Sequence, residues 1–204
     1  ISLIKASKSR CDLTICSIYV NPTQFNSQKY LRNYPTKTNK DIQLLEKNHC
    51  DILFLPNDFE LYEDNLTSDK FDLNNLDNFM EGEYRPGHFQ GVATVVTKLF
   101  KIINPDIAFF GEKDLQQLII IKHIVKESDL KIVSVPTVRE KNGIALSSRN
   151  NNLTKDSFKS ATIIFESLCY CRDHINKYDI VTLKNKVKKL FERSKLNLEY
   201  LEFV

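Results

Sequence analysis

Glycine is scarce in this chain: five residues in 204, beside six prolines, one methionine and no tryptophan. Such a composition excludes collagen-like and low-complexity architectures. With Ile, Leu, Val and Phe spread along the whole length, it also argues against disorder. No Gly-x-Gly-x-x-Gly occurs, and the spacing from Gly82 to Gly87 lacks the Lys and Ser/Thr that a P-loop requires. No apolar run approaches the roughly 18 residues of a membrane span, and no secretory h-region stands at the start. Charge of one sign is lacking too. The 29 Lys and Arg stand against 26 Asp and Glu, and a dispersed net +3 does not argue for nucleic acid. Cys11, Cys16, Cys50, Cys169 and Cys171 form no Cys-x-x-Cys and have no clustered His. This argues against a zinc site or a disulfide framework and for a reducing, cytoplasmic setting.

What is present is an alternation of short β-branched runs with helix-length patterns. Residues 13–20, 51–55, 107–110 and 131–135 read as strands. In 91–103, Val92, Val95, Val96, Leu99 and Ile103 share one helical face, and 113–127 is apolar over a wider arc. Strand–helix alternation predicts an α/β fold with a parallel sheet and helices on both faces. From Thr154 onward the pattern becomes helical. Phe158, Ala161, Phe165 and Leu168 mark one helix, and Ile180, Leu183, Val187 and Leu190 another, with residues 197–204 reading as a closing strand. This predicts a domain at 1–137 and a smaller α+β domain at 138–204. Both ends read as cut, since Ile1 to Lys5 resembles the inside of a helix and the last strand runs to Val204.

Four segments offer chemistry. Phe109 to Gln117 places Gly111, Glu112, Lys113 and Asp114 at the carboxyl end of a strand and the start of a helix, where open α/β sheets bind anions. Lys113 suits phosphate and Asp114 suits ribose hydroxyls, although a capped helix start with solvated charges fits equally well. Leu146, Ser147, Ser148, Arg149 and Asn150 follow a Lys-Asn-Gly turn and put two hydroxyls beside a guanidinium, the makings of a phosphate clamp or of an ordinary Ser-rich turn. Asn21, Pro22, Thr23 and Gln24 follow the first strand, and Gln24 can orient a carboxylate or hydroxyl without carrying charge. Arg85 to Phe89 is a rigid turn presenting Arg85 and His88. His88 reads as an acid/base or simply as a helix-start residue.

Together these segments resemble the pantothenate synthetase (pantoate–β-alanine ligase) family. Val20-Asn-Pro-Thr-Gln-Phe25, Arg85-Pro-Gly-His-Phe-Gln-Gly-Val92, Phe110-Gly-Glu-Lys-Asp114 with Gln116 and Gln117, and Val135-Pro-Thr-Val-Arg139 through Leu146-Ser-Ser-Arg-Asn150 recur there in this order and at these spacings. The resemblance covers nearly the whole chain and weakens after about residue 155. It implies a Rossmann-like domain followed by a lid. It also implies condensation of pantoate with β-alanine at the expense of ATP, with Mg2+, through an acyl adenylate that releases AMP and pyrophosphate. The implied homodimer works on small molecules, with no nucleic acid or membrane partner. By resemblance Gln24 and Gln117 hold pantoate, Gln24 also lies near β-alanine, and Asn21 is a further active-site candidate. Gly111, Glu112, Lys113, Asp114, Val138, Leu146, Ser147, Ser148 and Arg149 contact ATP. Of these, Lys113, Ser147, Ser148 and Arg149 are the candidate catalytic groups. The metal ligands and the roles of Tyr34, Arg85 and His88 stay open. The resemblance further places a His-x-Gly-His and a central strand upstream of Ile1. Two alternatives stand beside this reading: another nucleotidyltransferase of the same superfamily, and a non-catalytic remnant that binds nucleotide or a partner subunit.

Overall fold

A computed structural model describes residues 1–194 and 196–204, and the chain divides into two compact units after Pro136. The first unit runs α1 (Ser2–Lys8), β1 (Ile15–Ser17), a 3-10 turn (Pro22–Gln24), α2 (Gln28–Arg32), α3 (Thr38–Lys47) and β2 (Ile52–Phe54). It continues with α4 (Asp58–Tyr62), α5 (Glu81–Tyr84), α6 (His88–Ile103), β3 (Ile107–Gly111), a 3-10 turn (Glu112–Asp114), α7 (Leu115–Ile124) and β4 (Lys131–Val135). The second unit holds a 3-10 turn (Ser148–Asn152), α8 (Lys155–Ser160), α9 (Thr162–His174) and α10 (Ile180–Glu192).

All four strands fall where the β-branched runs predict, and they form two parallel pairs. β1 pairs with β2 in the register Ile15 to Ile52, and β3 pairs with β4 in the register Ile107 to Lys131. Parallel neighbours need a crossover, and α3 and α7 lie in those connections. α1 packs on β3 and β4. Its end is tied to the other pair: Lys8 Nζ lies 2.9 Å from Asp51 Oδ2, and that same oxygen accepts from the Thr14 amide at 2.7 Å.

Helix α6 is buried on two sides, which is why its sequence is apolar over more than one stripe. Val92, Val95 and Val96 join Leu61, Tyr62 and Ile121 in one cluster, while Phe89 and Ala93 join Leu73 and Ile120 in another. The helix begins three residues before the predicted face. Gly87 precedes it with φ +79°, a left-handed turn that an L side chain would strain.

The second unit departs from the sequence pattern in two places. The expected single helix through Phe158 and Leu168 is two, α8 and α9, broken at Ala161, and Leu168 is exposed while Ser167 and Cys171 are buried. Residues 197–204 pair with no strand among the described residues. Instead Leu198, Leu201 and Phe203 pack against Cys171, Leu183, Val187 and Phe191. A strand needs a ladder partner as well as apolar residues, and only the packing is supplied here. Among the described residues the unit's β character is confined to a hairpin bridge between Arg139 and Ala145. His174 is stacked between Tyr170 and Tyr178 at 4.2 and 5.9 Å, with its Nδ1 2.9 Å from the Tyr170 carbonyl oxygen.

Candidate active site

The turn at Asn21 to Gln24 follows β1 and rests on the start of α6. Asn21 is 3% exposed, and every polar atom of its side chain is engaged. Its amide donates to the Gly91 carbonyl at 3.0 Å and to Gln24 Oε1 at 3.2 Å. Its oxygen accepts from the Tyr62 hydroxyl at 2.6 Å and from Thr23 Oγ1 at 3.1 Å. Asn21 therefore braces the turn from within, and Gln24 beside it is half-buried. Burial pushes the Tyr62 phenol above its usual value, which keeps it protonated and donating. Gly91 is obligatory here, because a Cβ would lie 2.6 Å from the Thr23 carbonyl oxygen and 2.8 Å from Gln24 Cα. His88 is also buried, and its Nδ1 sits 2.9 Å from the Gln24 carbonyl oxygen, the geometry of a ring N–H donating to it. Arg85 reaches the same carbonyl at 3.5 Å and Glu81 at 3.6 Å. Tyr34 packs edge-on against Phe25.

The second group stands at the end of β3. Gly111 has φ −79° and ψ 136°, which any residue adopts, and a Cβ there would meet nothing within 4 Å. Neither backbone nor packing demands glycine, so its bare face is open to a ligand. Glu112, Lys113 and Asp114 are exposed, and Lys113 Nζ contacts Asp114 Oδ1 at 3.1 Å. Asp114 is the N-cap of α7 without making a side-chain cap bond, so its carboxylate is not spent on the helix. Gln116 and Gln117 have parted roles. Gln116 is 5% exposed, donates to the Leu76 and Phe79 carbonyls at 2.8 and 2.7 Å, and accepts from the Glu81 amide at 3.0 Å. The half-buried Gln117 amide makes no hydrogen bond among the described residues.

The third group belongs to the second unit. The Leu146 amide donates to the Val138 carbonyl at 2.9 Å, so these two residues are paired across the foot of the hairpin. Ser147 caps the 3-10 turn, its hydroxyl accepting from the Arg149 amide at 3.2 Å, and Asn150 fastens that turn to the Ala145 carbonyl at 3.0 Å. Ser148 and the Arg149 guanidinium are exposed.

The first unit thus holds a neutral amide turn and a cation two residues past an open glycine, and the second unit holds hydroxyls next to a guanidinium. A family model described as Pantoate-beta-alanine ligase matches residues 1–204. The chain belongs to that family. The pantothenate synthetase of Caldicellulosiruptor saccharolyticus is 43% identical, and the match spans all of this chain and 74% of that protein. That of Buchnera aphidicola is 44% identical over 97% of this chain and 69% of its own length. The crystal structure of pantothenate synthetase from Thermus thermophilus superposes with a TM-score of 0.88 at 34% identity, covering 94% of this chain and 70% of that one. The pantoate-beta-alanine ligase of Francisella tularensis, crystallised with beta-gamma ATP and beta-alanine, gives 0.78 at 40% identity, covering 92% and 71%.

Within this pantoate–β-alanine ligase chain, several supporting residues escape sequence reasoning. Tyr62 lies 41 positions from Asn21 and Gly91 lies 70 away, so nothing local reports the contact. Gly91 carries the one legible signal, a glycine at the start of the helical pattern of 91–103, where its helix cost calls for a packing reason.

Proposed function

We propose that this chain condenses (R)-pantoate with β-alanine through a pantoyl adenylate, consuming ATP and releasing AMP and pyrophosphate. The observation that carries the reading is the end of β3, where Gly111 leaves an open backbone face, Lys113 follows two residues later, and the Gln117 amide makes no hydrogen bond among the described residues. In the first step a carboxylate oxygen of pantoate forms a bond to the α-phosphorus. The bond from that phosphorus to the bridging oxygen breaks, and its electron pair leaves with pyrophosphate. Two anions must approach, so positive charge is needed where the new charge develops. Lys113 and Arg149 supply it, with Ser147 and Ser148 as hydroxyl donors to phosphate. Asp114 receives the ribose hydroxyls, and Glu112, Val138 and Leu146 complete the nucleotide site. In the second step the neutral amine of β-alanine forms a bond to the acyl carbon, the bond from that carbon to the AMP oxygen breaks with its electron pair leaving on AMP, and the nitrogen releases a proton to water.

Gln24 and Gln117 orient pantoate, and Gln24 also serves β-alanine. Neutral amides hold the carboxylate in place without an ion pair that would keep it from phosphorus. Asn21 acts on pantoate through Gln24, since its own side chain is spent on the turn. Magnesium suits this site as the ATP complex. It keeps water and phosphate oxygens as ligands and asks only one or two carboxylates of a protein, and no cluster of three or more His, Cys, Asp or Glu stands among the described residues. When bound it neutralises phosphate charge. The protein is further proposed to be a cytoplasmic homodimer, as its membership of a biosynthetic family suggests. No helix among the described residues is long and apolar enough to cross a membrane.

The test is pantoate-dependent exchange of labelled pyrophosphate into ATP by the protein carrying this chain. Lys113→Ala is expected to reduce exchange by about 100-fold or more while leaving the thermal midpoint unchanged, because its one ion pair among the described residues is an exposed one with Asp114. Exchange that proceeds without pantoate, or that survives Lys113→Ala intact, would overturn the proposal.

A further inference from the structure

The hairpin that carries Val138 and Leu146 is built against one aromatic ring of α9. Its strands are joined by the Glu140 amide donating to the Ile144 carbonyl at 2.8 Å and by the Leu146 amide donating to that of Val138 at 2.9 Å. Its tip turns at Gly143, where φ is +88° and a Cβ would overlap the Phe165 ring. Arg139 lies with its guanidinium 4.6 Å from the centre of that ring while Nη1 donates to the Gly143 carbonyl at 3.0 Å. One ring thus sets both strands of the hairpin, one through the guanidinium and the other through the bare glycine. From there the chain passes straight into Leu146 and the Ser147–Arg149 turn, which Asn150 pins back to Ala145.

We infer that Phe165 is a positioning residue for the nucleotide site, holding the Arg139–Gly143 hairpin so that Leu146 and the Ser147–Arg149 turn meet the ATP phosphates. The inference rests on the proposed role of that turn. Guanidinium–ring attraction is directional and a flat ring gives the glycine a surface to lie on, two properties an aliphatic side chain of similar size lacks. Phe165 itself touches no substrate. Removing its ring face is therefore expected to alter how well ATP is held while leaving pantoate recognition, built by residues of the first unit, intact.

The experiment compares Phe165→Leu, Phe165→Tyr and Arg149→Ala in pyrophosphate exchange, with direct titration of ATP and thermal melting alongside. Phe165→Leu should raise the ATP KM by about tenfold, with the pantoate KM within about twofold of the parent, and Phe165→Tyr should keep the ATP KM near that of the parent. An unchanged ATP KM in Phe165→Leu overturns the inference. So does a rise in both KM values with an equal fall in melting temperature, or a failure of Phe165→Tyr to keep ATP binding. Arg149→Ala separates the two levels. If it leaves ATP binding untouched, the clamp role of the turn fails. If it weakens ATP while Phe165→Leu does not, only the role of Phe165 fails.

Discussion

Replacing Gly91 by Ala adds a single methyl group, and the turn below it decides what that methyl does. The new carbon would stand 2.6 Å from the Thr23 carbonyl oxygen, 2.7 Å from its carbon and 2.8 Å from Gln24 Cα. Carbon contacts are comfortable at about 3.5–4.0 Å, so the turn must retreat by roughly 1 Å. All three opposing atoms are backbone, and no rotamer change can relieve the clash. The retreat would also stretch the Asn21 bond to the Gly91 carbonyl, now 3.0 Å, and shift the carbonyl that His88 holds at 2.9 Å. Overpacking of this kind costs about 1–3 kcal/mol, which in a chain of this size lowers the melting temperature by roughly 2–12 °C. A displacement of about 1 Å in a substrate-orienting group is worth up to about 100-fold in rate. Pyrophosphate exchange measured across pantoate and ATP concentrations should therefore show pantoate use falling by ten- to about 100-fold, with the ATP KM little changed. A variant with unaltered melting and an unaltered pantoate KM would refute the close approach. One in which ATP and pantoate suffer alike would refute the assignment of the turn to pantoate.

Two further outcomes follow from the same geometry. Gly111→Ala should behave oppositely to Gly91→Ala: melting unchanged, since nothing lies within 4 Å of the added carbon, but ATP KM raised by about tenfold as the methyl enters the nucleotide's space. An unaffected ATP KM would count against that space. The Asp51 carboxyl is held below the usual carboxylate range, chiefly by Lys8 and then by the Thr14 amide. A depressed folded value means that its stabilising contribution is complete above the unfolded value near 4 and is lost as pH falls through the folded one. Denaturant midpoints followed from pH 7 to 2 should thus fall more steeply in the parent than in Asp51→Asn, and parallel curves would refute the linkage.

The strands were readable because β-branched runs bounded by polar residues have few other homes, and the α6 face because its period is a local property. The proposed phosphate-side residues stood out as one group for the same reason, as Gly111 to Asp114 are consecutive. Asn21 shows where local reading stops. Its sequence neighbours announce a turn, yet its role is fixed by Tyr62 and Gly91, and only the fold brings those to it. His88, open to an acid/base or a bland reading, is set by its bond to the Gln24 carbonyl. The tail at 197–204 fails in the other direction. Its alternation is that of a strand, but the surface it meets is a helix pair, and packing on helices asks for apolar side chains without a ladder. At Ala161 the apolar spacing continues while the helix does not, because spacing describes a face and is silent about a break along the axis.

Gln116 and Gln117 carry the same side chain on consecutive residues, about 100° apart around α7. The first is locked, with both donor bonds and its acceptor committed to the segment from Leu76 to Glu81. The second has no such obligation. Selection therefore sees two unrelated positions in adjacent codons: one can drift only together with a distant loop, and the other, in its proposed role at pantoate, can change without endangering the scaffold. On that proposed role, diversification of substrate preference in this fold would have a low-cost entry point at 117 and a closed door immediately beside it.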